Sequence, residues 1–148
     1  MPYLFEASFE VTRNDGVLFS VMRNHLSSTG GMHTDINIMA ENFVLETGAI
    51  LTLEDLFSVP YDQYMPRIEQ AVLQAADALY GEDIDEVLYG DFETRLMEVF
   101  EPTSFCLTET GVIFFWQVYN LGPYTAGPQT FEISYDAIKD IIDGKWMI

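Results

Sequence analysis

The chain has 148 residues, 49% of them hydrophobic and 14% aromatic, enough for one packed core and too apolar for a disordered chain. Its 24 acidic residues against six basic ones give a net charge of −18, which argues against nucleic-acid binding, because phosphates require a basic footprint, and equally against an anionic membrane surface. The single cysteine, Cys106, rules out an internal disulfide and any zinc site built on several cysteines.

The chain opens on Met1–Glu6 without a basic region or a long apolar run, so no signal peptide is visible, and no apolar stretch approaches the roughly 20 residues of a membrane span. Phe5, Ala7, Phe9 and Val11 then alternate with Glu6, Ser8, Glu10 and Thr12, which predicts a half-buried strand. Asn14-Asp15-Gly16 supplies a tight hairpin, and Val17 to Met22 makes the return. Gly30-Gly31 marks a turn or a close backbone approach. Asp35 to Leu45, with Ile36, Ile38 and Ala40 in phase, reads as a third strand of an antiparallel meander.

Helices follow. Thr52 and Asp55 have the spacing of a capping box for a short helix carrying Leu53, Leu56 and Phe57. A longer helix is predicted from Asp62 to Tyr80, with an apolar stripe at Met65, Ile68, Val72, Ala75, Ala76 and Leu79. Pro66 then belongs in its first turn, and Gly81 ends it. Residues 82–101 are acid-rich, yet Ile84, Val87, Leu88, Phe92, Leu96 and Val99 predict a short helix, or two broken at Gly90. No loop there has the spaced ligands and central glycine of a calcium site, so the cluster reads as a solvated face.

Ser104–Leu107 and Val112–Tyr119 form a hairpin about 108–111. Val112–Tyr119 is apolar on both faces and should lie centrally, covered on two sides. A loop with two glycines and two prolines spans 120–128. Thr130–Ile133 is the last strand. Ser134 caps a final helix with its stripe at Ala137, Ile138, Ile141 and Ile142, ending at Gly144. The fold class is α+β: an antiparallel sheet, made of the N-terminal meander and a C-terminal hairpin with one more strand, packed with one long and several short helices. One domain spans 1–148.

Candidate chemistry is sparse. Cys106 sits in an apolar strand and reads as a small buried hydrophobe. On an extended strand His33 and Asp35 point the same way, an arrangement open to a metal or a general base, or to a histidine that merely bonds its own loop. No nucleophile elbow, phosphate-binding glycine loop or metalloprotease helix is present, and no cofactor or metal is implied. Tyr119, Tyr124 and Trp116 flank the 120–128 loop and offer stacking surfaces for a sugar or a partner protein.

Several segments together resemble one family. Gly30-Gly31-Met32-His33 resembles its Gly-Gly-Ala-His motif, with Met32 in place of the small residue. Thr47-Gly48 through Leu51–Phe57, Phe105–Gly111, Tyr119–Pro128 and Phe131–Tyr135 resemble its further motifs, with Ser134 where proline is usual. The family is the domain of unknown function at the C-terminal end of extracytoplasmic bacterial proteins, among them a lysozyme-sensing anti-sigma factor and the non-catalytic region of a peptidoglycan deacetylase. The resemblance implies an extracytoplasmic location and a non-enzymatic binding or sensing role towards a cationic cell-envelope protein, lysozyme-like, or a cell-wall glycan. The contact candidates are Gly30, Gly31, His33, Asp35, Tyr119 and Tyr124. The alternative is a small cell-envelope hydrolase or carbohydrate-binding domain using His33 and Asp35.

Overall fold

Strands β1 (Leu4–Asn14), β2 (Leu18–Ser28) and β3 (Asp35–Val44) form the meander in that spatial order. They belong to a computed structural model that describes residues 3–147; Met1 and Pro2, where the reading of the N-terminus begins, lie outside it, as does Ile148. Asp15 sets the first turn. Its carboxylate accepts the N–H groups of Val17 and Leu18, both at 2.9 Å, and Gly16 takes φ +84°, a conformation costly for other residues.

β2 is longer than its sequence suggests and carries the pairing through His25 and Leu26 to Ser28. The predicted half-burial of β1 is corrected. Phe5, Phe9 and Val11 are exposed, because alternation specifies an apolar face but not a layer to cover it. The Leu18 end of the sheet enters the core, with Leu18, Ser20, Asn42 and Arg13 buried, and Ile38 is buried further along β3.

Thr52 caps α1 (Leu53–Leu56), its hydroxyl accepting from Asp55 N at 3.2 Å. Helix α2 (Tyr61–Tyr80) buries Tyr64, Met65, Ile68, Val72 and Ala76. Leu79, assigned to the buried stripe, is exposed. Pro66 lies in the second turn, not the first, where it leaves the chain one helical N–H short. The acid-rich segment contains α3 (Ile84–Val87) and α4 (Phe92–Glu98), separated around Gly90. Leu88, Phe92 and Leu96 anchor it while its carboxylates face solvent.

The second sheet has the order β4 (Phe105–Leu107), β5 (Gly111–Trp116), β6 (Gln129–Ser134), all antiparallel. Central β5 buries Val112, Phe114, Phe115 and Trp116, covered on both faces as its composition predicts. The Trp116 indole donates to Leu96 O at 2.9 Å, and α2 lies along β6. The closing helix α5 (Tyr135–Ile138) stops after one turn, short of the predicted Gly144. Ile141 and Ile142 are buried from the following turn, where Ile142 bridges to Phe57.

Two side-chain amides join the sheets. Asn42 of β3 donates to Phe105 O at 3.0 Å and accepts from Leu107 N at 2.9 Å, so its amide stands in for a neighbouring strand along β4. Gln117 does the reverse, accepting from Ile38 N at 2.9 Å and donating to Ile38 O at 2.6 Å. Each satisfies backbone groups that an edge strand leaves open. A third tie comes from buried Arg13, bonded to Asp15 at 2.7 Å and to the Tyr135 hydroxyl at 3.1 Å. That hydroxyl donates to Thr108 O at 2.6 Å.

Candidate functional site

The Gln117–Ile38 joint brings two distant loops together. Gly30, at φ +92°, turns the chain from β2 into β3, and His33 lands beside the β5–β6 connection. The His33 ring stacks on Tyr124, centroids 4.2 Å apart and planes 27° from parallel. The Tyr124 hydroxyl donates to Thr34 O at 2.8 Å, which fixes that ring. Tyr119 lies next in line, its centroid 5.9 Å from that of Tyr124. The three rings form a short aromatic platform.

The β5–β6 connection is held from beneath. Leu121 is buried and its carbonyl accepts from Tyr89 N at 2.8 Å, while Arg95 Nε donates to Asn120 O at 2.9 Å. A Cβ on Gly122 would approach Val87 O to 2.8 Å, so only glycine fits where the loop crosses α3. Tyr119 is not on the strand, as its sequence position suggests. β5 ends at Trp116, and Tyr119 occupies the left-handed region at φ +71° with half its surface exposed. Such a conformation costs a bulky residue on the order of 1–3 kcal/mol and concentrates at functional sites.

Of the six predicted contact residues, His33, Tyr119 and Tyr124 meet. Gly30 and Gly31 form the turn above them, and a Cβ on either would meet open space. Asp35 is exposed, and no hydrogen bond or ion pair links it to His33 among the described residues. Trp116, a stacking candidate from its position, is instead a core residue. Cys106 is buried with the Thr12 hydroxyl 3.0 Å from its sulfur. Burial pushes its thiol up to about 11 despite that hydroxyl, which leaves it a poor nucleophile at neutral pH. Among the described residues no group of three or more His, Cys, Asp or Glu side chains is placed to hold a metal ion.

A groove not legible in the sequence runs along the open edge of β3. One part, of about 340 Å³, lies between Arg23, Ile38 and Glu41 on one wall and Glu101, Thr103 and Gln117 on the other. It continues through a cavity of about 170 Å³ at Ile50, Leu53 and Pro102, and then one of about 290 Å³ at Tyr61, Met97 and Phe100. Its walls come from three segments far apart in the chain, so no local pattern announces it. The floor is apolar and the rim bears Glu41, Glu54 and Glu101.

Five of the six basic residues are engaged locally. Arg13 pairs with Asp15, Arg23 with Glu41, Arg67 with Asp140 and Lys145 with Asp143. Arg95 lies over the Tyr89 ring at 5.0 Å. The carboxylates that remain give the surface a strongly negative field, which raises the encounter rate with a cation by 10-fold or more at low salt.

Residues 54–136 match the family described as "Protein of unknown function (DUF3298)". No curated protein matches the chain. Among solved structures, the chain is similar to a DUF3298 family protein from Pseudomonas aeruginosa PAO1, with a TM-score of 0.75, 18% identity and coverage of 98% of this chain and 64% of that one. It is also similar to a member of the same family from Bacteroides fragilis NCTC 9343, with a TM-score of 0.75, 21% identity and coverage of 95% and 55%. The chain thus spans less than two thirds of the length of either bacterial relative, and at these identities the likeness establishes the fold.

Proposed function

The chain belongs to the DUF3298 family, and from that premise we propose that it is a non-enzymatic, extracytoplasmic binding or sensing module for a cationic partner of the cell envelope, lysozyme in the first instance. The observation that carries the reading is the aromatic platform of His33, Tyr124 and Tyr119, with Tyr119 held in a strained backbone conformation on an acidic surface. Ring faces attract Lys and Arg side chains, each contact contributing about 0.5–1 kcal/mol where exposed. The negative field supplies the long-range attraction, and the platform the short-range contact. Glu101, on the groove rim, adds to the same charge.

The placement of His33 supports binding rather than hydrolysis. A general base needs its proton acceptor within hydrogen-bond reach of the reacting group and a partner to orient it. The His33 ring is packed on Tyr124, and no hydrogen bond or ion pair joins it to Asp35, its expected orienting partner, among the described residues. The resemblance to anti-sigma factors and deacetylases belongs to this proposal as context: binding falls to this domain, and signalling or catalysis to others.

The partner is identified by competition. Lysozyme and soluble cell-wall glycan fragments are titrated separately onto the protein while Tyr119 and Tyr124 ring resonances are followed. The proposal expects lysozyme to shift them, with the shifts reversed by salt. Shifts produced by the neutral glycan alone would replace the cationic protein by a sugar. Turnover of the glycan, lost in His33→Ala, would overturn the non-enzymatic reading.

A further inference from the structure

The strand register decides which backbone groups of β1 remain free. Ile38 directs both its N–H and its C=O to Gln117, on the open side of β3. Both groups of a strand residue in an antiparallel ladder point to the same side, and that side alternates along the strand. Asn24, opposite Ile38, therefore turns its groups the other way, onto Ser8 of β1. Glu6 and Glu10, in phase with Ser8, are bonded inward as well. Phe5, Ala7, Phe9 and Val11 are left with their N–H and C=O groups on the free edge.

Those residues also carry an uncovered face. Phe9 is 73% exposed, Phe5 66% and Val11 44%, while Glu6, Ser8 and Glu10 occupy the opposite face. Glu6 and Glu10 are the only charged side chains guarding this edge between Leu4 and Val11. No proline or lysine interrupts Leu4–Val11, and the one irregularity in pairing comes only after Val11.

We propose that the free edge of β1 accepts an added strand from a cationic partner, a segment in which apolar residues alternate with Lys or Arg. Added strands gain affinity from main-chain hydrogen bonds and specificity from alternate side chains. In this register the apolar side chains lie beside Phe5, Phe9 and Val11, and the basic ones beside Glu6 and Glu10. Charge selects this occupant over a second copy, since two copies bring −18 against −18 and place Glu6 and Glu10 of both on shared faces. The inference has a cationic partner in common with the proposed function but uses a different surface, so either can fail alone.

The test uses short synthetic peptides alternating Val and Lys, with fluorescence anisotropy for affinity and amide hydrogen exchange for location. The alternating peptide should bind and weaken by about 10-fold or more between low and physiological salt, as screening shortens the reach of charge. Binding should slow exchange at the amides of Phe5, Ala7, Phe9 and Val11. N-methylation of alternate peptide residues should abolish binding in one phase and spare it in the other, with the protein untouched. The exposed double variant Glu6→Lys/Glu10→Lys should lose about 10-fold for the Lys peptide and gain for a Val/Glu peptide. Equal binding of a scrambled peptide, tolerance of both N-methylation phases, or protection elsewhere would overturn the proposal. So would a free protein that dimerises with those four amides already protected, because the edge then belongs to a second copy.

Discussion

Asn42→Ala tests whether the two sheets are held together by amide side chains. The Asn42 amide is buried, and its loss strands Phe105 C=O and Leu107 N–H, whose residues are 2% and 0% exposed. Each buried group left without a partner costs about 1–3 kcal/mol, so with two such groups the variant should unfold with about 2–6 kcal/mol less stability. Gln117→Ala removes two bonds of the same kind, but Gln117 borders the open groove, where water replaces the amide. Its cost should be near 1 kcal/mol. Urea unfolding followed by fluorescence of buried Trp116 measures both. Equal losses, or a loss below about 0.5 kcal/mol for Asn42→Ala, would refute the reasoning that burial makes this joint costly to break.

Tyr119→Gly should keep or raise stability by up to about 1 kcal/mol, since glycine adopts φ +71° freely, while weakening partner binding; thermal unfolding and titration read the two effects. Ser20→Ala should be neutral or stabilising by up to about 1 kcal/mol in the same unfolding assay, because the buried Ser20 hydroxyl has no hydrogen-bond partner among the described residues. For Cys106 the folded thiol keeps its proton up to about 11, against 9.0 for the ordinary thiol. The folded state then holds more protons than the unfolded state between these values, so its contribution is complete below pH 9 and lost as pH rises towards 11. Wild type should lose about 2–3 kcal/mol more than Cys106→Ala across that window, and parallel pH profiles would contradict the assignment.

Short-range signals in the sequence located most elements. The Thr52–Asp55 cap, the two-sided apolar run of β5 and the turn glycines act within a few residues, and each forms where its chemistry places it. Coverage was not legible. The alternation of Phe5 to Val11 is the same whether a layer lies over it or water does, and Leu79 fits a helical stripe that extends one turn beyond its neighbours. At the site, His33, Tyr119 and Tyr124 could be named individually from loop position and ring chemistry. Their meeting depends on the Gln117–Ile38 bonds across 79 residues, which no local pattern encodes. The left-handed Tyr119 was hidden for a related reason: its sequence continues the β5 alternation, and anchoring at Asn120 and Leu121 overrides it.

The most direct measurement is calorimetry of the protein with lysozyme at low and at physiological salt, repeated with Tyr119→Ala. Binding should be detectable at low salt, weaken as salt rises, and fall by roughly 2- to 5-fold in the variant, the effect of removing one exposed ring contact worth about 0.5–1 kcal/mol. The unfolding midpoint of the variant should fall only slightly, since alanine keeps the left-handed φ and gives up the ring contact with Tyr124. Absence of binding at both salt concentrations would contradict the account, and so would full-strength binding by Tyr119→Ala.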